Sequence, residues 1–453
     1  MHEDLLARIR NGQSLNFSQK IKLVITLSMP SIMAQLTSII MQYIDAAMVG
    51  RLGANASAAI GVVASSTWLF SGLCVAVVAG FSIQVAHFIG AKEFNKAKEV
   101  LRHSYLMVLG VAVLLAAIGI VISGSLPSWL GSDVAIRADA SGYFFVFACS
   151  LPAVALNRLA ACMLQCSGNM KVPGLLNSLM CGWDVVLNMI FIYGLDMGVT
   201  GAAVGTALSE VITAGCMLYF LVCKTPMLQI DRTIEFKIQP IYFERAAKLS
   251  IPIACERFIM SGALVVTTGI VAPLGAIATA ANSLAVTAES LCYMPGYGIG
   301  EAATTLIGQS AGAKRKDMLH SFSQITVAFG MAFMAVMAVL LYIFAPVLMG
   351  MLSTDPQVCE MGTKILRIEA FAEPLYGASI VVAGVLRGAG DTAMCSILSL
   401  VSLWCVRIPL SYLLVGPLGL VGIWIAMCTE LCFRGLIFLI RLIRGRWLQK
   451  LVD

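Results

Sequence analysis

The stretch Leu52-Gly53-Ala54-Asn55-Ala56-Ser57-Ala58-Ala59 returns 222 positions later as Leu274-Gly275-Ala276-Ile277-Ala278-Thr279-Ala280-Ala281, with six of eight residues unchanged. The same shift lays Leu27-Ser28-Met29-Pro30 over Leu249-Ser250-Ile251-Pro252, and Gly90-Ala91-Lys92 over Gly312-Ala313-Lys314. It pairs Leu130 with Leu352, Asp133 with Asp355 and Gly168 with Gly390; at a shift of 221, Gly198 and Gly201 fall on Gly419 and Gly422. A register kept over such distances, through apolar sequence, is an internal duplication. In membrane chains, duplicated halves mark transporters that rock one half against the other around a shared site.

Composition places the chain in a membrane. It is 59% hydrophobic and 12% charged, where soluble domains carry about 25% charge. Apolar stretches of about 20 residues suffice to cross ~30 Å of hydrocarbon as helices. Twelve are found, centred near residues 36, 70, 113, 153, 184, 210, 261, 292, 333, 373, 403 and 430. The expected fold is an all-α polytopic membrane protein.

Basic residues set the orientation. With both termini inside, cytoplasmic segments hold 22 of the 30 Lys and Arg, and the outer loops hold four: Arg51, Arg137, Lys364 and Arg367. That asymmetry follows the positive-inside rule. The net charge of +6 therefore calls for anionic lipid rather than nucleic acid. Each half has six crossings, so both halves enter from the same side and the repeat is parallel. The expected segments are a cytoplasmic start at 1–22 with no signal peptide, an N-lobe at 23–222 and a polar cytoplasmic linker at 223–248. A C-lobe at 249–441 and a cytoplasmic tail at 442–453 complete them. The expected location is a prokaryotic inner (plasma) membrane.

Several chemistries drop out. There is no GxxxxGK[ST] phosphate loop, so the chain alone is no ATP-driven pump. No His/Asp/Glu cluster in the loops resembles a metalloenzyme centre. The 14 cysteines, including the one-turn pairs Cys162/Cys166 and Cys428/Cys432, read as small membrane-tolerant side chains, because no His or carboxylate joins them. No cofactor, metal or catalytic residue is expected.

What remains is ionisable groups at membrane depth, where a carboxylate costs at least ~2.5 kcal/mol and needs a partner or a purpose. Glu430 and Arg434 are four apart on one helical face and read as a neutralising pair, with Glu210 their near-counterpart in the first half. Groups found in only one half ask for another reason. Asp45 falls on Thr267, Asp184 on Val406, Glu256 on Ala34, Glu289 on Thr67 and Glu373 on Leu151. Asp184 and Asn188 share a face of helix 5. An acid beside an amide holds a proton by hydrogen bonding or a small cation by oxygen ligands. Pro30, in helix 1, reads either as a helix start or as a hinge.

The chain also resembles the multidrug and toxic compound extrusion (MATE) transporters over about residues 20–440. The resemblance rests on Met41-Gln42-Tyr43-Ile44-Asp45-Ala46-Ala47-Met48-Val49-Gly50 and on Gly298-Ile299-Gly300-Glu301-Ala302-Ala303-Thr304-Thr305-Leu306-Ile307-Gly308-Gln309 before Gly312-Ala313-Lys314. Leu386-Arg387-Gly388-Ala389-Gly390-Asp391-Thr392 and Ile190-Phe191-Ile192-Tyr193-Gly194, with Gly198 and Gly201, complete it. It implies two six-helix lobes enclosing a cavity, and export of organic cations or amphipathic compounds in exchange for H⁺ or Na⁺. Asp45 matches the acid that members carry at the end of helix 1. Helix 5 departs from the family pattern: members often read Asn and then Asp-Pro one turn later, whereas here Asp184 precedes Asn188-Met189. The face is kept, but the carboxylate lies about 6 Å deeper at 1.5 Å per residue.

The resulting expectation is a monomeric secondary antiporter, not an enzyme. Asp45, Asp184 and Asn188 couple the ion, H⁺ being favoured by the fuller first-half set, and Glu256, Glu289 and Glu373 hold the cationic drug. A flippase of lipid-linked glycans from the same superfamily is the alternative; it would favour a cationic cavity.

Overall fold

The computed structural model describes residues 2–229 and 237–451. The middle of the expected linker, with Asp231, Arg232 and Glu235, lies outside the described residues, as do Met1 and the last two residues of the expected tail. Regular structure among the described residues is entirely helical. A short helix, His2–Arg10, precedes α1 (Phe17–Gly50), α2 (Ala54–Gly90), α3 (Phe94–Ile122) and α4 (Val134–Cys166). Then come α5 (Lys171–Asn188, prolonged by a π-helical turn Met189–Gly194) and α6 (Gly198–Lys224). The second half repeats the series as α7 (Pro240–Val271), α8 (Ala276–Gly312) and α9 (Lys316–Leu352). It ends with α10 (Pro356–Glu369 and Glu373–Gly388), α11 (Thr392–Ser402, π turn Leu403–Arg407, Ile408–Leu418) and α12 (Leu420–Ile443).

Each expected span has its helix. Ten are long and apolar enough to cross a membrane as they stand, and the bent α10 makes eleven. The remaining one, α8, is 37 residues long but carries Asn282, Thr287, Glu289, Ser290 and Glu301, which dilute its apolar character. The bend in α10, 59°, has a local cause. Pro374 begins the second segment, where its missing N–H and fixed φ suit a first turn and not a helix interior. The break leaves Glu369 closing one segment and Glu373 opening the next.

Contacts divide the chain into two compact units, residues 1–35 with 255–453, and residues 36–254. The divisions fall inside α1 and α7 at repeat-related places, not in the polar join. The first part of α1 thus packs with the second half of the sequence, and the first part of α7 with the first half. Gly298 on α8 makes the former possible: a Cβ there would lie 2.6 Å from the backbone nitrogen of Ile32 and 2.8 Å from the carbonyl carbon of Ser31. Tyr242, at the start of α7, donates its hydroxyl to Glu99 Oε2 on α3 at 2.9 Å. Lys20, its repeat partner on α1, reaches Ser321 on α9, the repeat partner of Glu99, also at 2.9 Å. Pro30 and Pro252 lie well inside α1 and α7, so neither merely begins its helix.

Each unit has its own core. In residues 36–254 it is built round Phe70, Phe81, Phe144, Leu151 and Leu159, with Phe70 meeting Phe144 edge-on at 5.7 Å. In the other unit, Trp424 is buried and donates its indole N–H to Asn282 at 2.9 Å.

Candidate functional site

In the unit of residues 36–254, the acids of α1 and α5 meet. Asn188 Nδ2 donates to Asp45 Oδ1 and to Asp184 Oδ2, each at 2.9 Å. One amide thus spends both its hydrogens holding two carboxyls side by side. Asp184 and Asn188 are fully buried and Asp45 is half-buried. Two ionised carboxylates this close repel, and a shared proton or a small cation removes the repulsion. Among the described residues, Asp184 Oδ1 and Asn188 Oδ1 keep buried lone pairs without a geometric hydrogen-bond partner. Thr206 and Ser209 of α6 stand beside the Asp184 carboxyl, and Tyr143 of α4 lies near both acids.

The cradle for this triad comes from a glycine. A Cβ at Gly205 would collide with Asn188 Oδ1 and stand 3.0 Å from its backbone nitrogen, so only glycine lets α6 press against the amide. Immediately after Asn188, α5 widens into the π turn Met189–Gly194, a distortion that recurs at functional sites. Its Phe191 carbonyl is met by Gly201, where a Cβ would lie 2.7 Å away.

In the other unit, Glu289 of α8 and Glu373 of α10 lie within electrostatic reach of each other, and Glu369 joins them. Glu369 and Glu373 are fully buried and Glu289 is 5% exposed. Among the described residues, all four carboxylate oxygens of Glu369 and Glu373 lack a hydrogen-bond partner. Glu289 and Glu369 feel the guanidinium of Arg407, from the π turn of α11. Among the described residues, the three acids thus outnumber the one guanidinium set against them. Tyr293, Tyr297 and Tyr376 pack beside it, Tyr293 lying 6.1 Å from Tyr297 and 5.6 Å from Tyr376.

Glu256 stands elsewhere. It accepts from Ser396 Oγ at 2.7 Å and from Arg387 Nη2 at 3.4 Å, so its charge already has a partner. Glu301 accepts from Gln35 at 3.0 Å, and Glu210 accepts from Asn157 at 2.7 Å. Glu430 and Arg434 form the expected pair at 2.7 Å, with Ser402 donating to Glu430 and accepting from Arg434. Removing one partner of such a buried pair strands the other charge, at about 3–5 kcal/mol. Arg434→Leu is therefore expected to lower the thermal unfolding temperature of the detergent-solubilised protein sharply. The double replacement Glu430→Gln/Arg434→Leu should recover part of the loss.

Duplicated, multi-pass and all-helical among the described residues, with acids buried in each unit, the chain has the build of a secondary transporter. The family model MatE matches residues 30–193 and again residues 252–413, and the chain belongs to that family. A probable multidrug resistance protein NorM of Thermotoga maritima is 24% identical over 439 residues, covering 95% of this chain and 94% of its own. Among solved structures, a MOP-superfamily transporter from Pyrococcus furiosus superposes with a TM-score of 0.90 at 21% identity, over 96% of this chain and 97% of that one. The Vibrio cholerae MATE transporter VcmN, solved as a point mutant, gives 0.89 at 19% identity, over 95% and 97%. The duplicated family match coincides with the 222-residue repeat of the sequence.

Proposed function

We propose that this transporter is a drug antiporter: it exports organic cations or amphipathic compounds in exchange for H⁺ or Na⁺, its two halves alternating access. The observation that carries the reading is the bridging of Asp45 and Asp184 by one amide of Asn188. The relatives named for multidrug resistance support the substrate class. In this reading the triad loads the coupling ion, and Glu289 and Glu373, joined by Glu369, neutralise the charge of the drug. Glu256, neutralised by Arg387 and held by Ser396, serves the fold. The acidic cluster speaks against a flippase of lipid-linked glycans, whose phosphates would meet repulsion there. The protein works as a monomer in a prokaryotic inner membrane with both termini in the cytoplasm, and needs no cofactor beyond its coupling ion. Uptake of a fluorescent organic cation into inverted vesicles, under an imposed pH gradient and then an imposed Na⁺ gradient, tests this directly. Uptake driven by neither would overturn it.

Pro30 is the proposed hinge. It lies five residues before the point where α1 passes from one compact unit to the other, and it removes a backbone hydrogen bond there. Pro30→Ala should restore a backbone hydrogen bond, stiffen α1 and slow transport severalfold, while drug binding stays measurable by fluorescence titration. An unchanged transport rate would reduce Pro30 to a packing residue.

A further inference from the structure

The unit of residues 36–254 carries an apolar groove of about 330 Å³ along α3, lined by Leu106, Met107, Gly110, Val111, Leu114 and Phe243. Leu106 and Leu114 are 52% and 60% exposed, so the groove opens on the outside of the unit. Gly110 forms its floor, since a Cβ there would meet nothing within 4 Å. The wall opposite is fixed rather than loose. Phe243 of α7 is held by its neighbours, because the Gln239 backbone N–H donates to His103 Nε2 at 2.9 Å and Tyr242 is tied to Glu99. The Phe243 ring itself packs 5.2 Å from the imidazole of His103.

Lys98, Arg102, Leu106, Gly110 and Leu114 follow one another at four-residue steps, and so lie along one ridge of α3. The ridge is basic where the helix begins and apolar for the next turns. From Leu106 to Leu114 it extends about 12 Å at 1.5 Å per residue. A helical partner about 10 Å across would need roughly 900 Å³ over that length, far more than the groove offers. Lys98 is engaged in no ion pair among the described residues.

We propose that this groove is a binding site for an anionic phospholipid. One acyl chain lies over Gly110 against Phe243, and the headgroup phosphate sits at Lys98. Charge complementarity selects the headgroup, since a basic side chain at an anionic surface favours it about fivefold. The site is independent of the transport cycle proposed above.

Native mass spectrometry of the full chain tests it, by titration with phosphatidylglycerol and phosphatidylethanolamine of identical acyl chains. The wild type should retain one phosphatidylglycerol in preference to phosphatidylethanolamine. Gly110→Leu fills the groove and should weaken retention of both lipids roughly tenfold. Lys98→Gln should abolish the preference, a loss of about fivefold for phosphatidylglycerol, with phosphatidylethanolamine unchanged. If Gly110→Leu does not fold, Leu114→Trp blocks the same groove from its exposed side. Equal retention of the two lipids by the wild type overturns the proposal. So does phosphatidylglycerol binding that survives a filled groove.

Discussion

Replacing Asp184 by Asn is expected to bring gradient-driven export down to the leak level, a loss of roughly a hundredfold or more, with drug affinity largely kept. Asp184 is fully buried and receives one hydrogen of the Asn188 amide, whose other hydrogen goes to Asp45. A carboxyl in that position has two states, loaded and empty, and an ion gradient acts on the transporter through the difference between them. A ligand shifts a conformational equilibrium only as far as its affinities for the two states differ. Asn at position 184 mimics the loaded state permanently and so leaves the gradient nothing to act on. Asp45→Asn should behave likewise. The measurement is uptake of an organic cation into inverted vesicles, paired with equilibrium binding in detergent to show that the fold persists. Export by Asp184→Asn at the wild-type rate under the same gradient would exclude the triad as the coupling site.

The duplication and the twelve spans were legible because both depend on local properties, apolar length and repeated register. Asp45, Asp184 and Asn188 were legible for a related reason: the repeat isolates the two acids as features of one half, and a spacing of four sets acid and amide on one face. Gly205 was hidden, because a glycine among many small residues of α6 acquires meaning only when Asn188 is seen against it. Glu369 was hidden by the bend of α10. On a straight helix it would merely neighbour Glu373 at one turn, whereas Pro374 breaks the helix between them. Glu256 passed as one of the asymmetric acids because its partners, Arg387 and Ser396, lie 131 and 140 residues away. The division of α1 and α7 between units was equally invisible, since packing against distant helices leaves no local periodicity. Long-range pairing of polar groups is what a single sequence conceals.

That distinction between free and neutralised acids sets the second large effect. Glu289→Gln and Glu373→Gln are each expected to weaken binding of a cationic drug tenfold or more. A hydrogen bond to a charged group contributes about 1.5–3 kcal/mol, and about 1.4 kcal/mol is a factor of ten in affinity. A neutral analogue of the same drug should lose far less, because Gln keeps the shape of Glu and removes only its charge. The case for a large effect is the state of the cluster. Among the described residues, no carboxylate oxygen of Glu369 or Glu373 has a geometric hydrogen-bond partner, the Cys292 thiol stands beside Glu373, and Arg407 is the guanidinium that opposes Glu289 and Glu369. An arriving cation therefore displaces no existing salt bridge and meets acids already withdrawn from water, where a lost charge is felt most strongly. Glu256→Gln separates this from a mere count of acids. Its charge is shared with Arg387 at 3.4 Å, so neutralising it strands a half-buried guanidinium and should lower thermal stability without altering the preference for cations. Fluorescence titration of each variant with a cationic drug and its neutral analogue, beside thermal unfolding, resolves the two outcomes. Equal weakening of both ligands by Glu373→Gln would remove the cluster from drug recognition and leave it a purely ionic reservoir.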